Sequence, residues 1–397
     1  MSHLPALLPQ KIIAGLIILF IILISLPAAA NGQTPQEEWV DKQLNQLDTD
    51  KIQDYWQKVI TEYHGFLPES QKMDFKSFLK TDKSGMLKGW LSGAVKYLFH
   101  ELLINGKLLG TLIMLTVFSM ILQAIQNAFE HKSVSKVAYA VVYLVLIILS
   151  LNSFRVAITY TTDAIESMSH FLLALMPLVL ALTASVGSIT SVAFFHPLIV
   201  FLINSNGWLV ANFVLPLLFL SALLQIVSTL TDHYKVTKLA ALLRNIAIGT
   251  LAVFFAVFLG VMSVQGAATA ISDGVLGKTA KFLMGNFVPV VGRMFTDATE
   301  TVISASMLLK NTVGLAGLVI LICLIVFPAL KVLSLALIYN LAAAILQPLG
   351  GGPVIESLSI MAKSLIYIFA ALVIVSLMFF LAVTIIIAAG NLSIMAR

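Results

Sequence analysis

The sequence predicts an all-α polytopic membrane protein. A small exported helical N-terminal domain precedes about six to eight membrane helices, with two re-entrant hairpins set in an internal repeat. Three observations lead there. Of 397 residues, 59% are hydrophobic and only 11% charged, with a mean hydropathy of +0.98, whereas roughly a quarter of a soluble globule is charged. From Lys107 onward, apolar runs recur at roughly 107–127, 137–157, 171–186, 192–206, 208–230, 245–265, 312–338 and 365–389. Residues 31–105 stand apart, because they hold 11 of the 19 acids and 9 of the 24 Lys+Arg.

The first 30 residues read as a signal peptide. A short leader ending at Lys11 precedes the apolar stretch Ile12–Leu26, then Pro27 and Ala28-Ala29-Ala30. Fifteen apolar residues fall short of the about 20 a crossing needs, and an Ala-x-Ala end suits signal peptidase. An uncleaved anchor is the alternative. Either way, residues 31–105 are expected outside the cytoplasm as a helical domain. Ile52, Tyr55, Trp56, Val59, Ile60 and Tyr63 recur at helical spacing. Leu67-Pro68-Glu69-Ser70 then opens a second helix containing Phe75, Phe78 and Leu79.

Orientation follows from the loops. Lys132 and Lys136 fall in one connection, and Lys235, Lys238 and Arg244 in another. Under the positive-inside rule both are cytoplasmic, in agreement with an exported N-domain. Ser119, Leu122 and Gln123, then Val134, Lys136 and Ala138, are matched 102 residues later by Ser221, Leu224 and Gln225, then Val236, Lys238 and Ala240. This divides the membrane part into repeat 1 (106–206), repeat 2 (207–311) and C-terminal helices (312–397). The closing pair of each repeat, 171–206 and 282–310, is broken by Pro177, Gly187 and Pro197 in one case and by Gly285, Pro289 and Gly292 in the other. Such segments at matching places point to hairpins around a pathway.

Most of the motifs that resemble chemistry fail on inspection. Gly277-Lys278-Thr279 lacks the leading glycine and the strand of a phosphate loop. His100-Glu101 has Ile104 where a zinc site needs histidine. His196 before Pro197 reads as a helix-end residue, and Gly106 with Gly110 as a pattern for close helix packing. No metal or cofactor site, nucleic-acid surface or catalytic pairing is expected, so an enzyme is not. Two candidate sites remain. Arg293, Thr296, Asp297, Glu300 and Ser304 share one helical face and would line a water-filled conduit; an amphipathic helix lying at the interface is the alternative. Pro348, Gly350, Gly351, Gly352 and Pro353 cannot form regular helix and would act as a hinge or a tight turn.

Long stretches of the chain resemble one family. TEYHGFLPESQK at 61–72, FHELLINGKLLGTL at 99–112, GRMFTDATETVISASMLLKNTVG at 292–314 and QPLGGGPV at 347–354 are similar to the stage III sporulation protein AE family of Bacillus-type endospore formers. The resemblance implies a mother-cell protein of the outer forespore membrane. It would assemble with the other stage III sporulation A-operon proteins and meet stage II sporulation protein Q across the intermembrane space. The implied assembly is a secretion-like channel on which the forespore depends. Within it the chain would line the conduit, or serve as a non-conducting scaffold for ring-forming partners.

Overall fold

A computed structural model describes residues 50–67, Phe75, Phe78, 86–128, 133–186, 189–229, 235–287, 291–349 and 352–395. The expected signal peptide and residues 31–49 lie outside them. Among the described residues the regular structure is entirely helical, and the chain is an all-α polytopic membrane protein. Helix α1 spans Asp50–Tyr63, α2 Met86–Ile104, α3 Gly106–Ala128, α4 Ser133–Ser185 and α5 Ile189–Leu209. A π turn at Val210–Val214 leads into α6, Leu215–Ser228; α7 is Thr237–Phe287, α8 Val291–Leu346 and α9 Pro353–Met395. Among the described residues, six stretches are long and apolar enough to cross a membrane, namely Gly106–Ile125, Ala140–Ser185, His196–Ser228, Thr237–Val264, Ser306–Leu349 and Pro353–Ala388. Helix is the form that satisfies every backbone group within its own segment where no water is available.

Several helices are longer than the apolar runs suggested. The runs 137–157 and 171–186 belong to one helix of 53 residues, with Pro177 inside it. The reason lies in the polar stretch between them. Arg155, Asp163, Glu166 and His170 point outward, while Thr161, Ala164, Ile165 and Met168 are buried at helical spacing, so the helix continues with a changed outer face. The runs 192–206 and 208–230 are likewise joined. Pro216 lacks the N–H that would bond four residues back, and the π turn absorbs the defect: the Leu215 amide donates to the Val210 carbonyl. Pro197 also lies inside its helix, which leaves His196 exposed in mid-helix rather than at an end. Within the two expected hairpins, 187–188 and 288–290 lie outside the described residues, and the flanking helices end at Ser185 and Phe287 and start at Ile189 and Val291.

α8 and α9 form the centre. α8 runs antiparallel to α4: Gly317 faces Leu175, Lys331 lies 5.3 Å from the Tyr160 ring centroid, and the Tyr339 hydroxyl donates to Ser153 Oγ at 2.8 Å. α9 covers another side, with Gly314 against Ile387. One end of the bundle gathers the starts of α4, α7 and α9 and the ends of α3, α6 and α8. There Tyr143 meets Thr229 and Ser357, and Gly352 approaches Gln123. Lys235 and Lys238 are exposed at this basic end.

The N-terminal helices share the core of the bundle rather than building one of their own. α1 buries Ile52, Trp56, Val59, Ile60 and Tyr63. Trp56 packs on Phe75 and Phe78. Tyr55 meets Phe171 edge-on at 5.3 Å, and Tyr63 stacks on Phe327 at 3.9 Å. Tyr97 of α2 closes the same cluster, 4.8 Å from Phe327. Gly93 lets α2 press onto the Phe66 carbonyl, where a Cβ would collide with backbone. Gly106 and Gly110, by contrast, have nothing within 4 Å of such a Cβ. That pair does not pack helices together, because it opens onto the surroundings of α3.

Gly93→Ala is therefore expected to undock α2 and to speed proteolysis within 50–67 in the intact protein. Gly106→Ala should leave proteolysis unchanged and favour α3 by about 0.5–1 kcal/mol. The docking should also weaken in alkali. Burial first, then the adjacent Glu62 carboxylate that accepts its hydrogen bond, pushes the Tyr63 phenol well above the ordinary tyrosine value. Burial and Glu101 do the same to Tyr97. Both are held neutral in the folded state, so their contribution is complete below the unfolded value near 10 and is lost as pH rises beyond it. Tyrosinate absorbance should rise together with protease sensitivity, and Tyr63→Phe with Tyr97→Phe should move that loss to higher pH.

Candidate functional site

Arg293, Thr296, Asp297, Glu300 and Ser304 all fall in the first turns of α8, a single unbroken helix from Val291. The side chains of 265–302 lie outside the described residues, so the face must be read where it continues. Steps of three and four residues carry it from Ser304 to Leu308 and Leu315, and all three are exposed. The opposite side, at Leu309, Lys310 and Val313, is buried. Past residue 303 the face thus turns away from α4 and α9, toward the outside of this protomer.

Lys310 is the charged residue that sequence reasoning missed. It is fully buried, and its ammonium donates to the Ile387 carbonyl of α9 at 2.9 Å. Buried Ser306, one turn earlier, has no hydrogen-bond partner. A lysine so placed ties α8 to α9 through a charge-assisted bond. The available signal was a single lysine two residues ahead of the apolar run 312–338.

The expected hinge divides into distinct parts. Pro348 sits in an exposed 3-10 turn, Gln347–Leu349, while Gly350 and Gly351 lie outside the described residues. Gly352 accepts the Glu356 amide at 3.1 Å, and Pro353 opens α9, where a missing N–H costs nothing. Behind it the Tyr143 hydroxyl meets Ser357, Thr229 and the Pro353 carbonyl. Ser357 in turn donates to the Pro353 carbonyl at 2.8 Å and lies 3.0 Å from Thr229. The start of α9 is therefore pinned to α4 and to the end of α6.

A cavity of about 330 Å³ opens on the flank between α4 and α5, lined by Thr162, Glu166, Ser169 and His170 on one side and Asn204 and Trp208 on the other. Among the described residues no group of three or more His, Cys, Asp or Glu could hold a metal. Tyr143→Phe should cost about 1 kcal/mol, the worth of one net hydrogen bond. It should also increase cleavage between α8 and α9, read as a lower thermal midpoint in detergent together with proteolysis at the start of α9.

Comparison with known proteins accounts for most of the chain. The family profile described as Stage III sporulation protein AE matches residues 71–390. A relative named Stage III sporulation protein AE, from Bacillus subtilis (strain 168), is 63% identical over 361 residues, covering 91% of this chain and 90% of its own length. No solved structure matches. With the profile extending over all the membrane helices from α3 to α8 and nearly all of α9, the chain belongs to the stage III sporulation protein AE family.

Proposed function

We propose that this sporulation protein is the integral membrane subunit of a secretion-like channel between mother cell and forespore, and that its Arg293–Ser304 face lines the conduit. The observation that carries the reading is the exposure of Ser304 and of the residues that follow it on the same side of α8. Charges are costly to bury without partners or water, so the stripe turns to one or the other. Ser304, Leu308 and Leu315, which continue the face, are exposed on the outside of the protomer. The conduit would therefore form between neighbouring chains, not through one. Arg293 and Asp297, one turn apart, would partly neutralise each other and leave Glu300 to set a negative wall.

In this reading 106–206 and 207–311 are two copies of one unit. Support comes from the second helices, which end at Ser185 and Phe287, and from the third, which start at Ile189 and Val291. Each pair is 102 residues apart. The protein would sit in the outer forespore membrane, with its basic end in the mother-cell cytoplasm and residues 31–105 outside it. The partners would be the other stage III sporulation A-operon proteins and, across the intermembrane space, stage II sporulation protein Q. A non-conducting scaffold is the second reading, favoured by the filled centre: Leu309, Val313 and Ala316 of α8 and Leu372, Val375 and Val383 of α9 are all buried.

Glu300→Gln and Asp297→Asn separate the two. Under the conduit reading each should lower spore yield with protein abundance unchanged, and the pair should lower it further. Normal spore yield from the double variant at wild-type abundance would overturn the conduit role and leave the scaffold.

A further inference from the structure

The geometry points to α2 as a helix lying in the outer-leaflet interface of the bilayer that the chain spans, with its apolar stripe immersed among anionic phospholipids. The stripe is Leu91, Val95, Phe99 and Leu103, spaced by four residues and 70%, 46%, 61% and 79% exposed. It is not the face that packs on the protein, because Gly93 and Tyr97 turn inward toward Phe66 and Phe327. α2 thus has two apolar faces, one against the bundle and one uncovered.

Its height fixes the occupant. Gln123 of α3 lies beside Gly352 at the basic end. Gly106 is 17 residues along the helix from Gln123, about 25 Å at 1.5 Å per residue. Tyr97 touches Phe327, which stands 19 residues from Leu346 at the same end, about 28 Å. Asn105 and Tyr97, near the end and the middle of α2, are therefore level. The helix runs close to the membrane plane, one hydrocarbon thickness (about 30 Å) above the basic end. The turn is made at Asn105, whose side-chain amide donates to the Glu101 carbonyl at 2.9 Å.

Neighbouring groups suit a headgroup layer. Trp208, 65% exposed, stands 20 residues from Ser228, which is again about 30 Å from the basic end. Tyr and Trp gather at this depth in membrane proteins. Below the turn, the exposed Met114, Phe118 and Ile121 of α3 continue the apolar surface into the bilayer. Lys88, Lys96 and Lys107 are exposed along and just after α2, placed to meet phosphate, as basic residues do on interfacial helices.

The test uses the full chain reconstituted in phosphatidylglycerol–phosphatidylethanolamine vesicles, with buried Cys323 left in place. Single cysteines replace Leu91, Phe99 or Leu103, with Phe118→Cys and Lys51→Cys as the lipid and water references, each carrying a fluorescent label. Shallow nitroxide lipids should quench the three α2 labels several-fold more than aqueous iodide does, and Lys51→Cys should show the reverse. Stronger quenching by iodide would place the stripe in water and overturn the proposal. Protection from both quenchers would mean a second copy covers it, with the same consequence. Replacing phosphatidylglycerol by a zwitterionic lipid, or combining Lys88→Gln with Lys96→Gln, should reduce the lipid quenching; an unchanged value would overturn the anionic part.

Discussion

The seam between α8 and its two neighbours governs the rest of the structure. Within lipid there is no hydrophobic drive to bring helices together, so association depends on close packing and interhelical hydrogen bonds. The seam uses both. Gly317 and Gly314 admit Leu175 of α4 and Ile387 of α9 into the space a side chain would fill. Tyr339 bonds Ser153, and Lys310 bonds the Ile387 carbonyl. These contacts fix an antiparallel register in which Phe327 is presented to Tyr63 and Tyr97. The N-terminal helices therefore inherit their position from a packing decision made inside the membrane.

Much of this was legible in the sequence because it depends on local periodicity. The buried face of α1, the basic connections and the apolar character of α3 and α6–α9 all follow from spacing within a turn or two. What escaped depends on partners distant in the chain. The stretch 158–170 is polar in a hydropathy trace, yet Asp163, Glu166 and His170 occupy one exposed face while Thr161 and Met168 are buried. Residues 31–105 read as a separate unit because nothing local reveals that Tyr55 will meet Phe171. The candidate stripe was readable as a face, but its direction was not: helical spacing says which residues align, and packing says which way they look.

Two kinds of polar group in the membrane part contrast with each other. Tyr143 with Thr229 and Ser357, and Tyr339 with Ser153, are satisfied by one another across helices. Asn206, Thr161, Thr116 and Ser119 are buried and have no partner. Unpaired buried amides and hydroxyls cost free energy wherever they sit. Asn206 and Thr161 belong to α5 and α4, so two of these unpaired residues lie on the helix pair that carries the flank cavity.

The length of α4 has a mechanical consequence. Its exposed apolar residues cluster between Val137 and Ile148, and its exposed charged ones begin at Arg155. From Arg155 to Ser185 the helix continues unbroken for about 45 Å at helical rise. Held against α8 and α9 through the seam, this extension is a stiff mast rather than a tether. It sets a fixed distance between the basic end and Ser185, and a tilt at that end would be magnified into lateral travel at the other.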